Sequence, residues 1–141
     1  MSFSTQAHSD RSVPRWFTAV ATVLLALCSV GQSAQQLPTR GTRFWAGFMQ
    51  NGFAAQSLKI HITSTVSTTG TISMPNGGWS TNFSLAANAV TVVDIPTSAE
   101  NSGSETLQNK GVLITSQDSV NVYMTSYQNY TYDLSQVLPE S

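Results

Sequence analysis

Beyond residue 40 the chain is built of short runs in which apolar and polar positions alternate. In "TRFWAGFM" (42–49) Phe44, Ala46 and Phe48 fall on one side, with Trp45 and Met49 near the other. "SLKIHITS" (57–64) is the cleanest run: Leu58, Ile60 and Ile62 point one way, Lys59, His61 and Thr63 the other. A period of two with one apolar side is the pattern of a half-buried strand. The same pattern predicts strands over "TTGTISMP" (68–75), with Ile72 and Met74 inward, and over "WSTNFSLA" (79–86), with Trp79, Thr81, Phe83 and Leu85 on one face. The "NGG" at 76–78 between them is a hairpin turn signal. "NAVTVVDIP" (88–96) follows after a short turn, with Val90, Val92 and Asp94 on one face and Thr91, Val93 and Ile95 on the other.

Two stretches read differently. "TSAENSGSETLQ" (97–108) is polar and lacks the period, so it is expected to connect strands as a loop, with room for a helical turn. "NKGVLITSQDSVNVYMTSYQ" (109–128) contains two apolar runs around a polar "SQDS". It predicts a hairpin: Asn109, Lys110 and Gly111 launch a strand and "SQDS" turns the chain back. Val112, Ile114, Val120 and Val122 form its buried side, with Tyr123 and Tyr127 opposite. The expected fold class is all-β, an antiparallel β-sandwich of about seven short strands.

The beginning of the chain changes the picture of where such a domain works. Arg11 and Arg15 precede the apolar run 16–30, and small residues at 29, 31, 33 and 34 follow. A basic start, a short apolar stretch and a small-residue exit describe a secretory signal peptide over 1–34. The run is shorter than the ~20 residues of a membrane-spanning helix. The expected location is secreted or extracellular, with no membrane span after cleavage and a domain over 35–141. The one cysteine, Cys28, lies inside the signal, so the mature chain has no disulfide or thiolate metal site. Charged residues make up 9% of the chain and the net charge is −1. That balance argues against nucleic acid as a partner.

Candidate chemistry is sparse. His61 is the one histidine after residue 34 and lies on the polar face of a strand, and no "GxSxG" elbow surrounds any serine. No catalytic set, cofactor or metal site is expected. A Ca²⁺ site would draw on Glu100, Glu105 and Asp118. A glycan hydrolase would need two carboxylates about 5–10 Å apart, which would place Asp94 or Asp133 in a cleft beside Trp45 or Trp79. Lys110 in "NKG" reads as a turn residue. Asn82 in "NFS" and Asn129 in "NYT" are sequons. The aromatics Trp45, Trp79, Tyr123, Tyr127, Tyr130 and Tyr132 are candidates for a binding platform, although at alternating spacing such residues more often pack as core or shelf. Trp45, Tyr123 and Tyr127 are the candidate ligand-binding residues.

Taken in order, "GTRFWAGFMQN" (41–51), "LKIHITS" (58–64), "TTGTISMP" (68–75), "VTVVDIPTSAE" (90–100), "QNKGVLITSQDSVNVY" (108–123) and "TYDLSQVLP" (131–139) resemble the N-terminal domain of IgGFc-binding proteins. That family occurs in mucus-associated animal proteins and in many secreted bacterial ones. The resemblance covers essentially all of 35–141. Arg43 stands where the family pattern has an acidic residue, Ser119 stands where proline is common, and "DLSQVLP" lacks the usual alanines. The family domain is longer, so the resemblance implies the front part of such a domain. It implies a non-enzymatic binding or adhesion module with an extracellular protein or glycan as partner, and carries over no site residue. The other expectations are a carbohydrate-binding or glycan-hydrolysing domain, and a structural spacer of a larger surface protein.

Overall fold

The computed structural model describes residues 37–140. The signal-peptide assignment over 1–34, with Cys28, lies outside the described residues. Nine strands follow in order: β1 (Gly41–Ala46), β2 (Phe48–Met49), β3 (Ser57–Thr63), β4 (Thr68–Met74), β5 (Trp79–Leu85), β6 (Val90–Ile95), β7 (Glu100–Asn101), β8 (Val112–Gln128) and β9 (Thr131–Val137). A single 3-10 turn, Thr97–Ala99, leads into β7. Seven strands form one antiparallel sheet that is nearly closed into a barrel, while β2 and β7 pair in parallel as a small second sheet. The all-β expectation holds.

The register shows how the large sheet is made. β4 pairs with β5 from Met74↔Trp79 to Thr68↔Leu85, and β3 pairs with β6 from Thr63↔Val90 to Leu58↔Ile95. Each step forward on one side is one step back on the other throughout, so 57–95 is one long hairpin pinched at its middle. Its tip is the expected turn: Gly77 N–H donates to Met74 O (2.9 Å), and Gly78 takes φ +65°, a left-handed value that favours glycine. At the pinch Asn88 N–H donates to Ser64 O (2.8 Å) and Thr63 Oγ1 to Ala89 O (2.9 Å).

β8 is the spine of this sheet. The segment "SQDS", expected to turn the chain back, does not do so: β8 runs unbroken for 17 residues. Its first half lies between β1 and β4, its second half between β3 and β9. The polar segment is taken up as a bulge. Gly41 faces Val120 and Arg43 faces Thr115, so the four residues Ser116–Ser119 stand opposite Thr42 alone. The alternation itself decides between the two arrangements. Directly opposed residues of a hairpin share a face. A four-residue turn would therefore have put Val112 and Ile114 on the opposite face from Val120 and Val122. All four are fully buried in one cluster, as a continuous strand requires.

That cluster draws on both halves of the sheet. Phe44, Ile72, Phe83, Leu85 and Ile114 come from β1, β4, β5 and the first half of β8. Leu58, Ile60, Ile62, Ile95, Val122 and Val137 come from β3, β6, the second half of β8 and β9. Each such side chain contributes about 1.5–3 kcal/mol through burial. Gly70 marks the tightest approach: a Cβ there would lie 2.1 Å from Thr115 O and 2.5 Å from the Phe83 ring.

Other expectations shift in detail. The strand expected over 42–49 breaks at Gly47 into β1 and β2. The loop expected over 97–108 contains the 3-10 turn and β7, and its Ala99 and Glu100 are buried. Residues 131–137, not assigned as a strand, form β9. Its inward positions Thr131, Asp133 and Ser135 are polar, so no apolar inner stripe announces it.

Where β8 bulges, hydroxyls replace ladder bonds. Ser64 Oγ donates to Ser119 O (3.0 Å), and Asp118 N–H donates to Thr68 Oγ1 (3.1 Å). Ser64 and Thr68 are both buried. Thr68→Val keeps the shape and removes the acceptor. It is expected to lower stability by about 1–3 kcal/mol, the cost of stranding one part-buried amide, as read from the urea midpoint at unchanged slope.

Candidate functional site

The second half of β8 positions a broad outer face. Across β6, β3, β8 and β9 the register gives the rows Val92–His61–Tyr123–Gln136 and Asp94–Lys59–Thr125–Leu134, and across the last three strands Ser57–Tyr127–Tyr132. These are the positions opposite the buried Ile60, Ile62 and Val122, so strand alternation alone sends them outward. The face is apolar for a solvent-facing surface: Tyr127 is 43% exposed, Tyr132 62%, Leu134 63% and Val92 49%. Tyr127 and Tyr132 are cross-strand neighbours, with ring centroids 6.4 Å apart and planes tilted by 56°. That separation lies within the range of favourable aromatic pairs. Tyr130 caps the hairpin between β8 and β9 with φ +74° and a fully exposed ring.

Polar groups lie between these side chains. His61 Nε2 and Thr125 Oγ1 share a hydrogen bond of 3.1 Å, and Lys59 forms an ion pair with Asp94. The side chains of that pair are 39% and 79% exposed, so solvent screens it.

Tyr123 and Tyr127 are thus brought together on one face, and Tyr132, Leu134 and Val92 join them. Trp45 is not part of it. It projects from β1 in the row Trp45–Leu113–Ser73–Ser80, on the other half of the sheet. A Cβ added to Gly111 would lie 3.2 Å from the Trp45 ring, which therefore covers that glycine. The core-or-shelf reading holds for Trp79, which packs against the buried cluster, and fails for Trp45, Tyr127, Tyr130 and Tyr132, which are exposed. Alternation shows which residues share a face. It does not show that the polar positions of β9 face inward and Tyr132 and Leu134 face outward.

The remaining candidates are scattered. Lys110 Nζ donates to Glu100 O (2.7 Å), tying the start of β8 to β7. Glu100 Oε1 accepts Ala55 N–H at 2.9 Å, and among the described residues no group of three or more His, Cys, Asp and Glu is placed to hold a metal. Asp133 lines a cleft, but its walls are Phe48, Met49, Met124 and Leu134, not Trp45 or Trp79. A shallow groove of ≈ 630 Å³ opens on the other half of the sheet, with Thr71, Asn82, Ser84 and Thr115 around Gly70. Asn82 Oδ1 accepts Thr71 Oγ1–H there (3.1 Å), whereas Asn129 stands exposed in the β8–β9 turn. Among the described residues no helix is long and apolar enough to cross a membrane.

No family model, curated protein or solved structure matches the chain.

Asp94, an early candidate for acid chemistry, is held by an exposed ion pair at the margin of the face. Asp94→Asn is expected to change stability by less than about 1 kcal/mol, measured by urea denaturation. A larger loss would mean that the pair is a structural clamp.

Proposed function

We propose that the chain is a secreted, non-enzymatic binding module that contacts an extracellular protein or glycan through the outer face of β6, β3, β8 and β9. The observation that carries this reading is the adjacent exposed set Tyr127, Tyr132 and Leu134, with exposed Val92 farther along the same sheet face on β6. Tyrosine suits such a surface: it offers a large rigid contact with few rotatable bonds, and its hydroxyl stays useful when wet. The low formal charge of the chain fits a contact made by shape and hydrogen bonding more than by long-range steering. The ordered resemblance to the IgGFc-binding N-terminal domain supports an adhesive role, and the signal-like leader supports an extracellular setting.

The test is to screen the secreted protein against a glycan array and a panel of immobilised extracellular proteins, immunoglobulin Fc among them. A retained ligand is then measured against Tyr127→Ala/Tyr132→Ala. The double variant is expected to weaken binding by about thirtyfold, the effect of truncating a central aromatic anchor, with its melting temperature nearly unchanged. Binding that survives both truncations would move the site elsewhere, and absence of any ligand would contradict the reading.

A further inference from the structure

Behind the tyrosine face, on the inner side of the β8–β9 ribbon, lies a separate cleft of ≈ 210 Å³. Phe48 and Met49 of β2 form one wall, and Met124 and Leu134 add further apolar surface. Three polar residues complete it: Ser126 and Asp133, directly opposed across β8 and β9, and Ser135 two positions along β9. Opposed residues share a face with their Cβ atoms about 5 Å apart, so both side chains line the same cleft, the hydroxyl at its buried end.

Both groups are short of partners. Ser126 is 7% exposed, and its Oγ is buried without a hydrogen bond. A buried hydroxyl without a partner is costly, and one that lines a cleft calls for an explanation. Asp133 is exposed and forms no salt bridge among the described residues, where the pairs are Arg43–Glu140 and Lys59–Asp94. β9 also pairs with β8 along one edge and with no other strand among the described residues. An open strand edge accepts an extended segment by backbone hydrogen bonding, with alternate side chains sent to each face.

We propose that this cleft takes a lysine side chain from an extended segment of a partner protein laid along β9. The chemistry matches at each level. The four-carbon stem of lysine packs on apolar walls while its head stays polar, and methionine side chains adjust to such a stem. The ammonium has three donors and no acceptor. Asp133 supplies the opposite charge, Ser126 Oγ accepts one N–H, and Ser135 Oγ or water takes the third. A guanidinium brings five donors in a planar fork and would leave more of them unmet by one carboxylate and two hydroxyls. Leu134 borders both surfaces, but this site rests on Ser126 and Asp133 and the other on Tyr127 and Tyr132, so either can fail alone.

The experiment is an amide chemical-shift titration of the full chain with the capped pentapeptide Thr-Val-Lys-Val-Thr, using norleucine and glutamine versions as controls. The lysine peptide is expected to shift the amides of 124–126 and 133–135, and the controls to do so far less. Asp133→Asn should weaken the lysine peptide by about tenfold, the loss of one charge-assisted bond. Ser126→Ala should weaken it severalfold yet raise the melting temperature, because it removes an unmet buried hydroxyl. Equal shifts with norleucine would reduce the site to an apolar dimple, and no shifts with any peptide would leave it a water-filled cleft. A lower melting temperature for Ser126→Ala would show that the hydroxyl already has a partner in the fold. Each of these three results overturns the proposal.

Discussion

The fold depends on how one strand crosses a bend without losing its backbone hydrogen bonds. β8 pairs with both ladders of the pinched hairpin 57–95, β4 along its first half and β3 along its second. Where it passes from one to the other, its partners part, and the amide of Asp118 and the carbonyl of Ser119 lose their ladder neighbours. Buried backbone groups left unpaired are costly. Thr68 Oγ1 and Ser64 Oγ meet those two groups, and Arg40 adds a second donor to Ser119 O at 3.1 Å. Ser116 Oγ closes the bulge on itself through Asp118 O (2.7 Å). Two of the hydroxyls that support the bend, Ser64 and Thr68, come from the pinch of the hairpin 57–95, and the third, Ser116, comes from "SQDS" itself.

The bend also decides what the surface offers. With the hairpin 57–95 pinched at the same level, both ladders turn their apolar sides to a single cluster. By strand alternation Tyr123, Tyr127 and Tyr132 are outward because Val122, Met124 and Val137 are inward, while Thr125 on the outward side is buried beneath its neighbours. β9 is the least committed part of this arrangement. It is exposed along its length until Val137 and held by β8 on one edge, with Glu140 N–H reaching Arg43 O (2.9 Å) beyond its end. Its outer side exposes Tyr132 and Leu134, and its inner side is polar up to Val137. Such features are the ones to explain by contact with something else.

Much of this was legible from alternation alone. Leu58, Ile60 and Ile62, or Phe44, Ala46 and Phe48, declare their side because every second residue is apolar and its neighbours are not. The Pro75–Gly78 turn is legible for a different reason, since Gly78 occupies a backbone region that other residues avoid. The hairpin expected at "SQDS" was wrong because a cluster of polar residues is a turn signal only when the chain has nowhere else to spend it. The shared even parity of Val112, Ile114, Val120 and Val122 already argued for one strand. β9 was missed because its inner positions are polar, and β7 because two residues paired in parallel leave no period to read. The tyrosine face was half visible: Tyr123 and Tyr127 share a side by parity, while Tyr132 and Leu134 join them only once β9 is paired. Where Trp45 lies relative to Tyr123 and Tyr127 was not legible, because spacing along a strand says nothing about which half of a bent sheet the strand belongs to.

The central claim is that 112–128 is one continuous strand bridging two ladders. The most direct measurement is the set of cross-strand nuclear Overhauser contacts of its amide and α protons. A continuous strand predicts contacts from 113–115 to 43–45 and 71–73, and from 122–127 to 58–62 and 132–137. Contacts between 112–115 and 120–123 would show that the chain turns back at "SQDS" and would contradict the account.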